Sequence, residues 1–256
     1  MILERIYAYA MPRLLGRTIR DVRIGLELLA IELDNGQVGV TYVLKNEIGH
    51  TCQTFSNAGS LIGMNAVDLA KWSVIGEDVI SRSLGLAVSN SVAEIDQLNS
   101  SESMLDSDAT MAVSIQPEDT IGIVGYIGPV ISRLQGKKNQ LLIFERDQGE
   151  GDNTYPEKSQ SEFLPKCQVV FITSSTLIND TLEKLLSYCK NAREVVMVGS
   201  STPLYPEAFK GTGVTVLSGT IWPPENSNRI LTGISQCAGM RQLIKHGQKV
   251  SVKIVD

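Results

Sequence analysis

The sequence predicts an α/β protein in two parts, an N-terminal α+β domain at residues 1–108 and a Rossmann-like, doubly wound parallel-sheet domain at 109–256. Three observations carry that reading. Beyond residue 109, short and nearly continuous apolar runs recur: TIGIVG at 120–125, QLLIFE at 140–145, QVVFIT at 168–173, EVVMVG at 194–199 and VTVL at 214–217. Runs of this kind suit strands covered on both faces, and the helical spacing between them suits right-handed crossovers. Before residue 95 the pattern is alternating strands and then helices. Between the two lies a polar, serine-rich and acidic stretch, 96–108 (DQLNSSESMLDSD), with the composition of a linker.

Taken in order, residues 3–15 have helical spacing, with Leu3, Ile6, Tyr7, Ala10 and Leu14 on one face and Pro12 expected to kink or shorten the helix. Val22, Ile24 and Leu26 alternate, as do Leu29, Ile31 and Leu33, and the phase slips near Glu27 and Leu28, which predicts a turn or bulge there. Asp34-Asn35-Gly36 is a hairpin signal leading into Val38, Val40 and Tyr42. Helices are expected over 65–72 and 77–93, a further one over 177–190 with Asn191 as its stop, and a last one over 236–246 ending at Gly247.

Composition bounds the function. A 43% apolar, 20% charged chain with net charge −5 is ordinary for a globular protein. Nucleic-acid binding calls for clustered basic residues, and the short pair Lys137-Lys138 reads as a solvated turn. No window reaches the roughly 18 apolar residues of a membrane span, and the N-terminus reads as an amphipathic helix with no targeting signal, so a cytoplasmic protein is expected. The four cysteines, Cys52, Cys167, Cys189 and Cys237, are far apart and read as reduced thiols.

In an open parallel sheet, ligands bind beyond the carboxyl ends of the strands. The first run is followed by Gly125-Tyr126-Ile127-Gly128-Pro129, a G-x-x-G turn that lacks the full dinucleotide fingerprint. Glu145 closes the second run twenty residues after Gly125, near the separation at which a carboxylate meets ribose hydroxyls. The third run leads into Thr173, Ser174, Ser175, Thr176 and Asn179, the fourth into Ser200, Ser201 and Thr202, and the fifth into Ser218-Gly219-Thr220 and Trp222. Each group alone reads as turns and caps. Together they make a hydroxyl-rich rim for a polar or phosphorylated ligand, with Tyr126 and Trp222 as flat apolar walls.

The same ordered set resembles the putative heavy-metal chelation family: Gly125-Tyr126, Glu145, Ile172-Thr173-x-x-Thr176-Leu177-Ile178-Asn179, Val198-Gly199-x-Ser201-Thr202-Pro203-Leu204 and Gly219-Thr220-x-Trp222. Residues 84–90, ending in Asn90, resemble a segment of that family too, so the likeness spans nearly the whole chain. It departs at Ser174-Ser175, where a glycine-containing pair is expected, at Asp180, where glycine is common, and at Ser200, where proline is frequent. The resemblance implies an enolase-N-terminal-like first domain, a Rossmann-like second domain, and a role in metal homeostasis through making or handling metal-chelating compounds. It implies a small heterocyclic, nucleoside-like or chelator-like molecule in an interdomain cleft, with Asn90 reaching in from the first domain and S-adenosylmethionine or another nucleoside-like molecule as the cofactor class.

A direct metal site is not legible. Soft-metal sites use several Cys or His at short spacing. Only His50 and Cys52 are close, and they read as strand neighbours; His246 reads as a helix C-terminal cap. No G-x-S-x-G elbow occurs. Two readings stay open. One is an enzyme that condenses, hydrolyses or modifies its ligand, with Tyr126 and Glu145 as catalytic candidates, Tyr126 by elimination. The other is a carrier or sensor of a metal–ligand complex, or a methyltransferase-like protein. A nicotinamide-dependent oxidoreductase ranks below both, because the glycine fingerprint is incomplete. The expected partner is a small molecule, with neither nucleic acid nor membrane; a homodimer is left open.

Overall fold

The computed structural model describes residues 1–49, 55–93, 103–105 (backbone), 108–146 and 153–255. His50, Cys52, most of the stretch 96–108 and residues 147–152 lie outside the described residues. The first part contains α1 (Ile2–Leu14), β1 (Ile19–Ile24), β2 (Leu28–Leu33), β3 (Val38–Tyr42), α2 (Ala66–Ile75) and α3 (Val79–Ser91). The second contains β4 (Ser103–Leu105), β5 (Thr120–Val124), α4 (Gly128–Leu134), β6 (Gln140–Glu145), β7 (Thr154–Pro156), α5 (Gln160–Phe163), β8 (Val169–Thr173), α6 (Leu182–Tyr188), β9 (Glu194–Val198), α7 (Pro206–Phe209), β10 (Val216–Ile221), α8 (Ser227–Ser235), α9 (Met240–Leu243) and β11 (Gln248–Lys253).

The first three strands form an antiparallel meander. Its second turn closes as the Asp-Asn-Gly signal predicts: Gly36 takes φ +87°, and Leu33 N–H donates to Gln37 C=O at 2.9 Å. Pro12 lies in the last turn of α1, so the helix loses one internal bond and still reaches Leu14. Asn65 and Asp78 cap α2 and α3, each side chain accepting from the second and third helical N–H groups.

All six residues of β2 are buried. Leu29, Ile31 and Leu33 face the core shared with α1–α3, whereas Leu28 and Ala30 pack with Ile230 and Ile234 of α8. The alternation marks one buried face, and a helix from the far end of the chain covers the other.

The large sheet has eight strands among the described residues, in the order β4-β11-β10-β9-β8-β5-β6-β7. The ladders from β7 to β10 are parallel, which is the 3-2-1-4-5-6 order of a doubly wound sheet. β11 and β4 extend it antiparallel. Residues alternate between two cores: Ile121, Ile123, Val169 and Phe171 pack with α4, while Val124, Val170 and Ile172 join the core running to α6, α7 and the first domain.

Three expectations are corrected, and two strands had no expectation. The helix expected at 177–190 begins only at Leu182, because Asp180 adopts φ +58° and breaks the run. That left-handed turn accounts for the position where glycine was expected. The helix expected at 236–246 is replaced by α8 and the short α9, with Cys237 at φ +60° between them. The fifth strand runs two to four residues later than its apolar core suggested, so Ser218-Gly219-Thr220 lie inside β10 and not after it. β7 and β11 carry no apolar run strong enough to announce them and are supported by neighbours in the sheet.

Candidate functional site

The chain order reverses between β5 and β8, and the loops after these two strands part there to open a crevice. Gly125 makes the geometry possible. It has φ +87°, and a Cβ there would lie 2.8 Å from Thr173 Cγ2, so the turn after β5 can press on the end of β8 only as glycine. Gly199, after β9, has φ +137° and would place a Cβ 2.8 Å from Ser174 Oγ, which brings the β9 turn against the β8 loop in the same way.

Two cavities of about 500 and 520 Å³ lie along this edge. Tyr42, Tyr126, Thr173 and Ser175 line both. Tyr126 is 74% exposed at the mouth. Tyr42, at the end of β3, brings the three-stranded meander into the wall, so the cleft lies between the meander and the large sheet. Burial, with smaller contributions from the Glu27 and Glu145 charges, raises the Tyr42 pKa, and its phenol stays protonated at neutral pH.

The first lobe is carboxylate-rich. Glu145 ends β6 and accepts from the Arg146 N–H at 3.3 Å. Arg146 pairs with Glu47 and, at 2.9 Å, with Glu157. Asn179 Nδ2 donates to Glu47 at 2.9 Å, and Thr181 Oγ1 donates to Asn179 Oδ1 at 2.7 Å, so the Asn179 amide is oriented by protein groups. Thr176 Oγ1 donates to Thr173 C=O at 2.7 Å and shapes the loop. Thr173 and Ser175 hydroxyls lie 3.1 Å apart and face the cleft.

The second lobe lies over β9 and β10 and takes in Gly128, Ser174, Ser200, Ser201, Ser218, Arg241 and Lys249. Ser201 joins the domains: its Oγ accepts from Tyr42 N–H at 2.8 Å, and its C=O accepts from Asn90 Nδ2 at 3.2 Å. Asn90 thus reaches across, but it lines a separate cavity of about 360 Å³ with Thr202 and Trp222. Trp222 is 6% exposed and packs with Val38, Val40 and Ile230, so it is interdomain core and not a wall of the cleft. Asn90 Oδ1, Thr202 Oγ1 and Trp222 Nε1 are buried without a hydrogen-bond partner.

Sequence reasoning missed Tyr42, Glu47, Arg146, Glu157, Arg241 and Lys249. Arg146 directly follows Glu145 at a strand end and was findable on that ground. Arg241 and Lys249 lie on α9 and β11, neither of which carries a local signal of a site.

Among the described residues, no three His, Cys, Asp or Glu converge as a metal site. Burial pushes the Cys167 thiol up to about 11 and the Cys189 thiol up to about 12, so neither offers a thiolate near neutral pH. No helix among the described residues is long and apolar enough to cross a membrane.

Two family models match the chain, both described as "Putative heavy-metal chelation", one over residues 108–253 and one over 7–93. An uncharacterized protein of Methanocaldococcus jannaschii is 32% identical over 145 residues, 56% of this chain and 55% of that protein; the chain thus spans about half the length of the curated relative it matches. The fold is shared with two crystal structures of proteins of unknown function from the DUF364 family. The one from Pyrococcus horikoshii has a TM-score of 0.83 at 24% identity, covering 99% of this chain and 100% of that one. The one from Desulfitobacterium hafniense DCB-2 has a TM-score of 0.75 at 23% identity, with 98% of each chain covered. A doubly wound sheet with a meander-and-helix domain closing its carboxyl edge, matched by these models over most of its length, belongs to the putative heavy-metal chelation family.

Proposed function

We propose that the protein binds a small heterocyclic, nucleoside-like or chelator-like molecule in the interdomain cleft and acts on it in metal chelation. The observation that carries this reading is the meeting of two cavities at the switch point of the sheet, with Tyr42 and Tyr126 lining both. A ring stacks on these phenols, and Glu145 takes its hydroxyl or amino substituents. The metal comes with the organic ligand: Glu47 and Glu157 are both engaged by Arg146, which leaves Glu145 as the carboxylate of the first lobe without an ion pair among the described residues.

The enzyme reading is favoured over a carrier by one feature. The first lobe holds a phenol and a carboxylate, Tyr42 and Glu145, so a proton donor and a proton acceptor line one space. That pair also supersedes Tyr126, which is largely exposed, as the acid–base candidate.

Calorimetric titration with S-adenosylmethionine, adenosine and NAD tests the reading. Saturable binding of S-adenosylmethionine or adenosine is expected. Glu145→Ala should weaken it about tenfold, or ~1.4 kcal/mol, with an unchanged melting temperature. Failure of all three to bind, or an affinity indifferent to Glu145, would sink the nucleoside assignment.

A further inference from the structure

We propose that the lobe over β9 and β10 seats a phosphoryl group, so that the ligand of the cleft ends in a phosphate ester or diphosphate. The inference rests on the cleft being the ligand site and adds which end of the ligand goes where.

Four observations on this lobe converge. Ser200 is 7% exposed and lines the cavity, yet its hydroxyl makes no hydrogen bond within the described residues. A polar side chain on so buried a residue normally has a partner, and this one lines the cavity, where a ligand atom can supply it. The backbone points the same way. Gly199 N–H donates to Ser218 C=O and Thr202 N–H to Gly199 C=O, whereas the N–H groups of Ser200 and Ser201 between them meet no backbone acceptor among the described residues. Successive unpaired amides after a glycine at positive φ make an anion-binding concavity. Third, Arg241 and Lys249 line the lobe, are exposed, and lie within ion-pair distance of no carboxylate among the described residues. Last, the single acid in the lining among the described residues, Asp108, is already engaged: it accepts from Thr110 N–H and Oγ1 and lies 3.9 Å from Arg133.

A guanidinium, an ammonium and a hydroxyl line one cavity from three elements, α9, β11 and the turn after β9, and that turn carries the two amides. A tetrahedral phosphoryl group offers three peripheral oxygens to such a set, where a carboxylate offers two in a plane. The first lobe excludes the reverse orientation. Among the described residues Glu47, Glu145 and Glu157 outnumber Lys45 and Arg146 there, and none of the cations pairs with Glu145. The charged end therefore goes over β9 and β10, and the ring and its hydroxyls go over β5 and β6.

The test uses the whole chain with pyrophosphate and inorganic phosphate as probes, acetate at matched ionic strength as the contrast, and adenosine as an uncharged probe of the first lobe. Saturable stabilisation by pyrophosphate is expected. It should weaken tenfold or more in Arg241→Gln/Lys249→Gln and at least threefold in Ser200→Ala. It should be retained in Lys71→Gln/Lys137→Gln, which removes the same charge from exposed positions elsewhere. Both lobe cations are exposed, so their removal leaves folding intact, and melting curves without probe check this. Equal stabilisation by acetate, or an unchanged pyrophosphate affinity in Arg241→Gln/Lys249→Gln, overturns the proposal. Adenosine binding without pyrophosphate binding leaves the cleft standing and removes the phosphoryl seat. Pyrophosphate binding without adenosine binding supports the seat and removes the nucleoside reading.

Discussion

The amino edge of the large sheet and the β9–β10 part of its carboxyl edge are both crowded with polar side chains, and they use them in opposite ways. At the amino ends of the strands the polar groups satisfy one another. Asp119 accepts from Arg193 Nη2 and from Gln116 N–H, both at 2.7 Å. Asn139 donates to Gln116 and Asp119 carbonyls, Gln168 accepts from Thr120 N–H at 2.9 Å, and Thr215 bridges Glu194 and Val195. At the carboxyl ends, Ser200, Arg241 and Lys249 line open cavity, and the N–H groups of Ser200 and Ser201 meet no backbone acceptor among the described residues. Composition does not separate the two edges, since hydroxyls and carboxylates occur at both. Satisfaction does: polar groups that close on each other hold the sheet together, and those left open are available to a ligand.

Substitutions that exchange these roles would break the comparison. The largest effect is expected where the open edge depends on backbone geometry. Gly199→Val forces a β-branched residue into φ +137° with its Cβ against Ser174 Oγ. It should cost about 3 kcal/mol and lower the melting temperature by roughly 6–12 °C. A melting temperature within a degree or two of wild type would show that the β9 turn can relax.

Asp119→Ala should follow at about 2 kcal/mol, measured by denaturant unfolding, because it removes charged hydrogen bonds from the closed edge. Its pH dependence can be signed. Burial raises the Asp119 pKa, but the Arg193 hydrogen bond, the Gln116 N–H and the Arg193 charge outweigh it, and the folded value is lowered. The contribution is therefore fully present above the ordinary carboxylate range and is lost as pH falls through the depressed folded value. The gap between wild type and Asp119→Ala should be widest near neutral pH and shrink in acid; a gap constant with pH would refute the ionic origin.

The smallest effects make the sharpest contrast. Thr215→Val at the closed edge should cost about 1 kcal/mol, since it strips a partner from Glu194 and from Val195 N–H. Ser200→Ala at the open edge should change stability by less than about 0.5 kcal/mol. Equal costs for the two would erase the distinction between the edges.

Much of the parallel sheet and its rim is legible in the order of residues alone. Each of the five apolar runs falls on a strand of the parallel sheet, because a strand covered on both faces must be apolar at consecutive positions. Gly125, Glu145, Thr173 and Ser175 were findable because the carboxyl end of a strand is a position in sequence as well as in space. The wall opposite them was not. Tyr42 comes from the meander, and Arg241 and Lys249 from a four-residue helix and a strand whose backbone partner is more than 25 residues away. Trp222 shows the converse: adjacent in sequence to the rim, it is turned into the core beneath α8.

By itself the sequence determined the class of the fold, the order of the five apolar strands of the parallel sheet along the chain, and the floor of the cleft, since hydrophobic period, turn chemistry and strand ends are local properties. Tertiary structure decided which polar groups were left without partners. It split one expected rim into two lobes of unlike charge, and it set Asn90, Thr202 and Trp222 apart in a cavity of their own. The physical reason is that hydrogen-bond satisfaction and net field depend on what is brought near from elsewhere in the chain, and no window of neighbouring residues contains that information.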